Sequence, residues 1–122
     1  MGENLRGEGF DPLALWEAVG QDGELLRDVV QIFAAEYPVM LFNLEQAAKT
    51  GDVAGVQNVS HKLKGALLQL AASKAAAAAV HVEDSAIGKS PQELAPLIDE
   101  LKVECDSLLQ LLLKIDPGRS FS

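Results

Sequence analysis

A chain of 122 residues with a net charge of −8 has the length of one domain, and its acidic balance excludes the usual nucleic-acid and anionic-membrane binders, whose lysines and arginines displace counterions. Hydrophobic residues make up 48% of it, yet charges break them at helical spacing; no run approaches the roughly 18 apolar residues of a membrane span, and the N-terminus lacks a basic, apolar signal pattern. The expected location is the cytoplasm, and the single cysteine, Cys105, excludes an intrachain disulfide and offers no metal framework.

Residues 1–9 are polar and glycine-rich and read as a flexible leader, residues 10–116 as the folded body and residues 117–122 as a loose tail. The opening Met1 favours a free protein over a segment of a larger kinase. Asp11 as N-cap and Pro12 at the first helical position open a short helix that stops at Gly20, with Leu13, Trp16 and Val19 expected to face inward. Residues 22–49 carry Leu25, Val29, Ile32, Phe33, Met40, Leu44 and Ala48 at helical steps. Pro38 lacks a backbone donor and predicts a kink near Glu36 and Tyr37; the stripe resumes in phase beyond it, which favours one kinked helix over two.

The link Thr50-Gly51-Asp52 is short enough to make the next helix, over residues 52–72, an antiparallel neighbour. Either Ser73 caps a further helix over residues 73–87 or the two helices run nearly continuously with a bend, and the five alanines from Ala75 to Ala79 permit close approach. Gly88 closes that helix, and Ser90 with Glu93 forms a capping box around Pro91. The last helix spaces Leu94, Ile98, Leu101, Cys105, Leu108, Leu112 and Ile115 by alternating fours and threes, a seam suited to bundle packing, and Asp116-Pro117-Gly118 ends it. No stretch alternates with period two. The predicted fold is therefore all-α: an antiparallel up-down four-helix bundle with a short additional N-terminal helix, complete as a monomer.

One helix carries the chemistry. With about 100° per residue, Val56, Val59, Leu63, Leu67 and Leu70 fall on the side opposite His61, while Ala54, Gln57, Lys64, Gly65 and Leu68 share its side. The imidazole should thus stand in solvent, with a cation one turn on. A neutral imidazole has a ring nitrogen able to attack phosphorus near neutral pH, and Lys64 can offset phosphoryl charge. Gly65 costs about 1 kcal/mol relative to alanine inside a helix, which calls for a reason, and a bare backbone lets another molecule approach the ring. Gln57, Lys62, Gly65 and Leu68 are the candidate partner-binding residues around His61 and Lys64.

The run His61-Lys62-Leu63-Lys64-Gly65-Ala66 resembles the motif of histidine-containing phosphotransfer (HPt) domains of multistep two-component phosphorelays, with Val82-Glu83 where that family commonly has Leu-Glu. The sequence departs from the pattern at Ala66 for a frequent Ser, Gln69 for Asn, Ala71 for Gly and Ala79 for a frequent Cys. The resemblance implies a phosphoryl carrier: His61 accepts the group from a receiver-domain phospho-aspartate and passes it to another receiver. It also implies response-regulator receiver domains or a hybrid histidine kinase as partners. Mg²⁺ is then expected on the receiver, with no cofactor in this chain and no ATP-binding or autokinase motif.

Two other readings compete. A sensor-kinase dimerisation and phosphoacceptor domain also places a histidine on a bundle, but commonly follows it with an acidic residue and then a proline, whereas Lys62 follows here and the next proline is Pro91. The chain could instead be an unphosphorylated helical adaptor binding through Leu68. His81 has Asp84 and Ser85 where His61 has Lys64 and Gly65, so it reads as a surface or structural residue; Glu83 is left between packing, solvent and the His61 face. The histidine spacing and the absence of Glu-x-x-His pairs disfavour a metal site, and no phosphate-cradling glycine loop is present.

Overall fold

Short polar side chains open most of the helices in the computed structural model, which describes residues 9–121. Asp11 accepts from the Ala14 N–H at the start of α1 (Pro12–Ala18), and Asp22 from the Glu24 and Leu25 N–H groups at the start of α2 (Gly23–Lys49). Asp52 accepts from the Gly55 N–H at the start of α3 (Val53–Gln69). Both halves of the Ser90/Glu93 capping box are formed on α5 (Pro91–Leu113). Each satisfies amide donors that a helix leaves without internal partners.

The exception is α4 (Ser73–Ser85), where the capping position is Ala72 and no side chain caps it. Ser73, expected to be the cap, instead donates from both its amide and its hydroxyl to the Gly9 carbonyl, at 2.7 and 2.8 Å. This strap continues with an isolated bridge between Phe10 and Ala72 and an Asp11 amide donated to the Ala71 carbonyl at 3.0 Å. Gly9 has φ of +75°, and a Cβ there would lie 2.7 Å from that of Lys74, so only glycine lets the strap cross so close. The remainder of the expected leader, residues 1–8, lies outside the described residues.

The four long helices neighbour one another in a ring, α2 against α3, α3 against α4, α4 against α5 and α5 back against α2. That is the antiparallel up-down bundle of the sequence analysis, with no β-strand among the described residues. The α5 seam holds for Leu94, Ile98, Leu101, Cys105, Leu108 and Leu112, all buried, while Ile115, expected to be its last member, lies beyond the helix end at Leu113 and is half-buried. Burial pushes the Cys105 thiol up to about 12, so at neutral pH it packs as a small, protonated, apolar group.

Elsewhere the inward face is rotated from the expected one. On α1 Leu15 is buried and Leu13 exposed, because the strap sets the rotation of so short a helix. On α2 the core stripe is Leu26, Val30, Phe33, Tyr37, Leu41, Leu44 and Ala48, with Leu25 and Ile32 outside. The sequence reading passed over Tyr37, whose ring stacks on Phe33 while its hydroxyl donates to the Asp106 carboxylate on α5 at 2.7 Å. An amphipathic side chain can be core at one end and polar at the other. Burial and the nearby carboxylate both raise its pKa. Helix α2 runs unbroken through the exposed Pro38, one helix and not two. Within the stretch expected to be loose, Asp116 caps a single turn, α6 (Pro117–Ser120), and Phe121 stacks on Trp16 at 4.9 Å.

Ala71 occupies the left-handed region with φ of +58°, which costs an L-residue roughly 1–2 kcal/mol. It stands where the HPt pattern often has glycine, and the link between α3 and α4 requires that conformation. Ala71→Gly is expected to raise stability by about 1 kcal/mol, the relief of strain outweighing the glycine's extra unfolded-state entropy; a urea melt that moves downward would contradict this.

Candidate functional site

Helix α3 fixes the site by burying its other side. Val56, Leu63 and Leu67 are inside, together with Ser60. The sequence analysis left Ser60 unassigned, and its hydroxyl is satisfied within the helix, donating to the Val56 carbonyl at 2.6 Å. Val59, expected in the stripe, is only half-buried. The face so turned outward carries His61, whose side chain is 64% exposed.

Glu83 of α4 lies against this imidazole, its Oε2 3.1 Å from His61 Nδ1. The other carboxylate oxygen is 3.7 Å from Lys64 Nζ. One carboxylate, itself 24% exposed, thus spans imidazole and ammonium. The sequence analysis left Glu83 open, although a signal existed: in an antiparallel pair, residues at similar distances from the link share a height, and positions 61 and 83 are ten and twelve residues from Ala71, the middle of the link.

The hydrogen bond decides which ring nitrogen keeps a free lone pair. An ionised carboxylate has no hydrogen to give, so in the neutral ring the shared proton sits on Nδ1, and Nε2 keeps its lone pair. The ring nitrogen not engaged by Glu83 is then the one with a free lone pair on an exposed side chain.

Around this centre Lys62, Gly65 and Leu68 are exposed and Gln57 is half-buried. A Cβ added to Gly65 would meet nothing within 4 Å, so the backbone there borders open space. Leu68 is 56% exposed, the one large apolar side chain of α3's second half turned to solvent. His81, also on α4, is exposed and stands apart from the His61, Lys64 and Glu83 group. Among the described residues no three or more His, Cys, Asp or Glu side chains gather to hold a metal ion, and no helix is long and apolar enough to cross a membrane.

The family model described as the Hpt domain matches residues 28–113, from the second turn of α2 to the end of α5. No curated protein and no solved structure matches the chain.

Proposed function

The chain belongs to the Hpt domain family, the phosphotransfer modules of phosphorelays, and on that premise we propose that His61 is the phosphoryl carrier between a receiver-domain phospho-aspartate and a second receiver. The observation that carries this is the pairing of an exposed imidazole with a carboxylate on Nδ1 and a cation one turn on. Nε2 attacks the phosphorus of the acyl phosphate; the N–P bond forms as the bond to the aspartate oxygen breaks, and that carboxylate leaves with the electron pair. The Nδ1 proton stays in place, and the positive charge that the ring acquires is stabilised by Glu83. The return step is the reverse with a different aspartate.

Phosphorylation adds close to two negative charges to a chain already at −8. Lys64 is held by Glu83 only in a long, half-exposed ion pair of 3.7 Å, a contact worth at most about 1 kcal/mol, so it can turn to the phosphoryl oxygens. Lys62 adds a second cation, and Gln57, Gly65 and Leu68 form the surface against which the receiver docks. On this reading the chain works in the cytoplasm as a monomer, the receiver brings its own Mg²⁺, and no ATP is used.

Incubation with radiolabelled ATP alone, and then with a phosphorylated receiver, tests the proposal. The expected result is no self-labelling, then an acid-labile, base-stable label on the chain. Self-labelling would identify a kinase, and no label in either arm would leave an adaptor.

Glu83 acts here as a positioning residue. Glu83→Ala should let the neutral His61 ring revert to the mixture of tautomers of free histidine, visible in its ¹⁵N shifts, and slow transfer roughly tenfold, the lower end for loss of an orienting partner. Glu83→Gln, which keeps an acceptor oxygen, should restore most of the rate. Equal loss in both variants would show that the carboxylate's stabilisation of the ring's positive charge outweighs its positioning of the tautomer.

A further inference from the structure

Across the ring from the α3–α4 edge that holds His61 and Glu83, helices α2 and α5 leave an open groove between them, with a volume of about 610 Å³. Here α6 folds back onto the start of α2, so that a Cβ on Gly23 would lie 3.4 Å from Pro117 Cγ. The fold-back gathers cations from three places in the chain: Arg27 of α2, Lys114 at the end of α5 and Arg119 of α6 all line the groove. We propose that the groove binds a small organic phosphate of nucleotide size, with these three cations on its phosphates and its organic part on the apolar floor. The inference is independent of the carrier reading above.

Charge argues for an anion. The chain as a whole stands at −8, yet the lining sets three cations against one carboxylate, Asp116. That carboxylate is itself engaged, its Oδ1 accepting the Gly118 amide at 3.2 Å. Among the described residues no ion pair occupies Arg27, Lys114 or Arg119, whereas Lys64 and Lys74 are paired. Three like charges gathered on one concave surface repel one another, and a bound anion relieves that repulsion. Arg27 and Arg119 are the two arginines of the described residues, and a guanidinium presents a planar fork of donors that phosphate oxygens fit in pairs.

Size and lining argue for an organic phosphate over the bare ion. Pockets for small molecules hold about 300–1,000 Å³ and combine an apolar lining with a few placed polar groups. Leu26, Val30 and Leu112 form a buried floor, flanked by the half-buried Ile115 and Pro117. Inorganic phosphate leaves that floor wet, while a nucleoside covers it. Gln31, one turn beyond Arg27 on the same face, adds an amide that can donate and accept. A lipid headgroup carries the same phosphate, but an acidic chain is repelled by an anionic membrane surface. Arg27 precedes, and Lys114 and Arg119 follow, the family-matched residues 28–113, so these cations are this chain's addition to the shared module.

Titration of the full ¹⁵N-labelled chain with ADP, and separately with pyrophosphate, tests the proposal. The expected result is amide shifts concentrated in residues 23–31 and 112–119, with an ADP Kd below about 1 mM and about tenfold or more under that of pyrophosphate. Arg27→Gln combined with Arg119→Gln should weaken ADP binding about tenfold or more. Lys89→Gln combined with Lys102→Gln, which removes the same charge from exposed positions outside the groove, should leave it unchanged. All four side chains are exposed, so the helical circular dichroism should be kept in both double variants. No shifts with either probe, shifts centred on other residues, or equal weakening in the two double variants overturns the proposal. ADP bound no more tightly than pyrophosphate overturns the organic ligand, and preference for phosphatidylglycerol vesicles over ADP overturns the soluble one.

Discussion

His61→Gln is expected to reduce phosphoryl labelling from a phosphorylated receiver to background. The amide of glutamine has no nucleophilic nitrogen lone pair comparable to that of imidazole, and His81, though exposed, lies outside the cluster formed with Glu83 and Lys64 and so does not replace it at the docked receiver. The substitution should cost little in structure. The side chain is 64% exposed, glutamine is a good helix former, and surface changes of this sort stay within about 0.5 kcal/mol. The helical circular dichroism and urea midpoint should therefore match wild type, and His81→Gln should label normally. Residual labelling of His61→Gln, or its loss in His81→Gln, would move the phosphoacceptor elsewhere.

Leu63→Ala is expected to produce the opposite signature. Leu63 follows His61 by two residues but faces the other way and has no exposed surface. Truncating a fully buried leucine costs roughly 3–5 kcal/mol from lost transfer energy and the remaining cavity, a large share of the 5–15 kcal/mol typical of a domain. With a urea slope of about 1.5 kcal/mol per molar, the midpoint should fall by roughly 2–3 M. The rate of phosphoryl transfer per folded molecule should change little, since Leu63 does not touch the ring's reactive side. A midpoint shift under 0.5 M would show that α3 is not anchored through this residue.

These two residues also mark what could be read from the sequence. The 3.6-residue period of α3 separates His61 from Leu63 with no tertiary information, and the four-three spacing of α5 names its buried residues just as directly. Periodicity served less well on α1 and α2. There apolar residues occur nearly all round the helix, so which stripe turns inward depends on neighbours: the strap for Leu15, and Asp106 across the bundle for Tyr37. The site shows the same division. His61, Lys64 and Gly65 are local on one helix and legible there. Glu83 reaches them from another helix, and its role depends on how the α3–α4 link sets the heights of the two. Phe121 was beyond a local reading as well, since its partner Trp16 is at the far end of the chain.

The His61 imidazole sits midway along a helix and not at the tip of a loop, and the helix is clamped by a buried stripe on its back. Such a wall cannot swing its cargo from one visitor to the next. On the carrier role proposed for His61, donor and recipient would take turns at a single berth, each occupying the space the other needs, and traffic would be governed by how quickly a discharged guest departs.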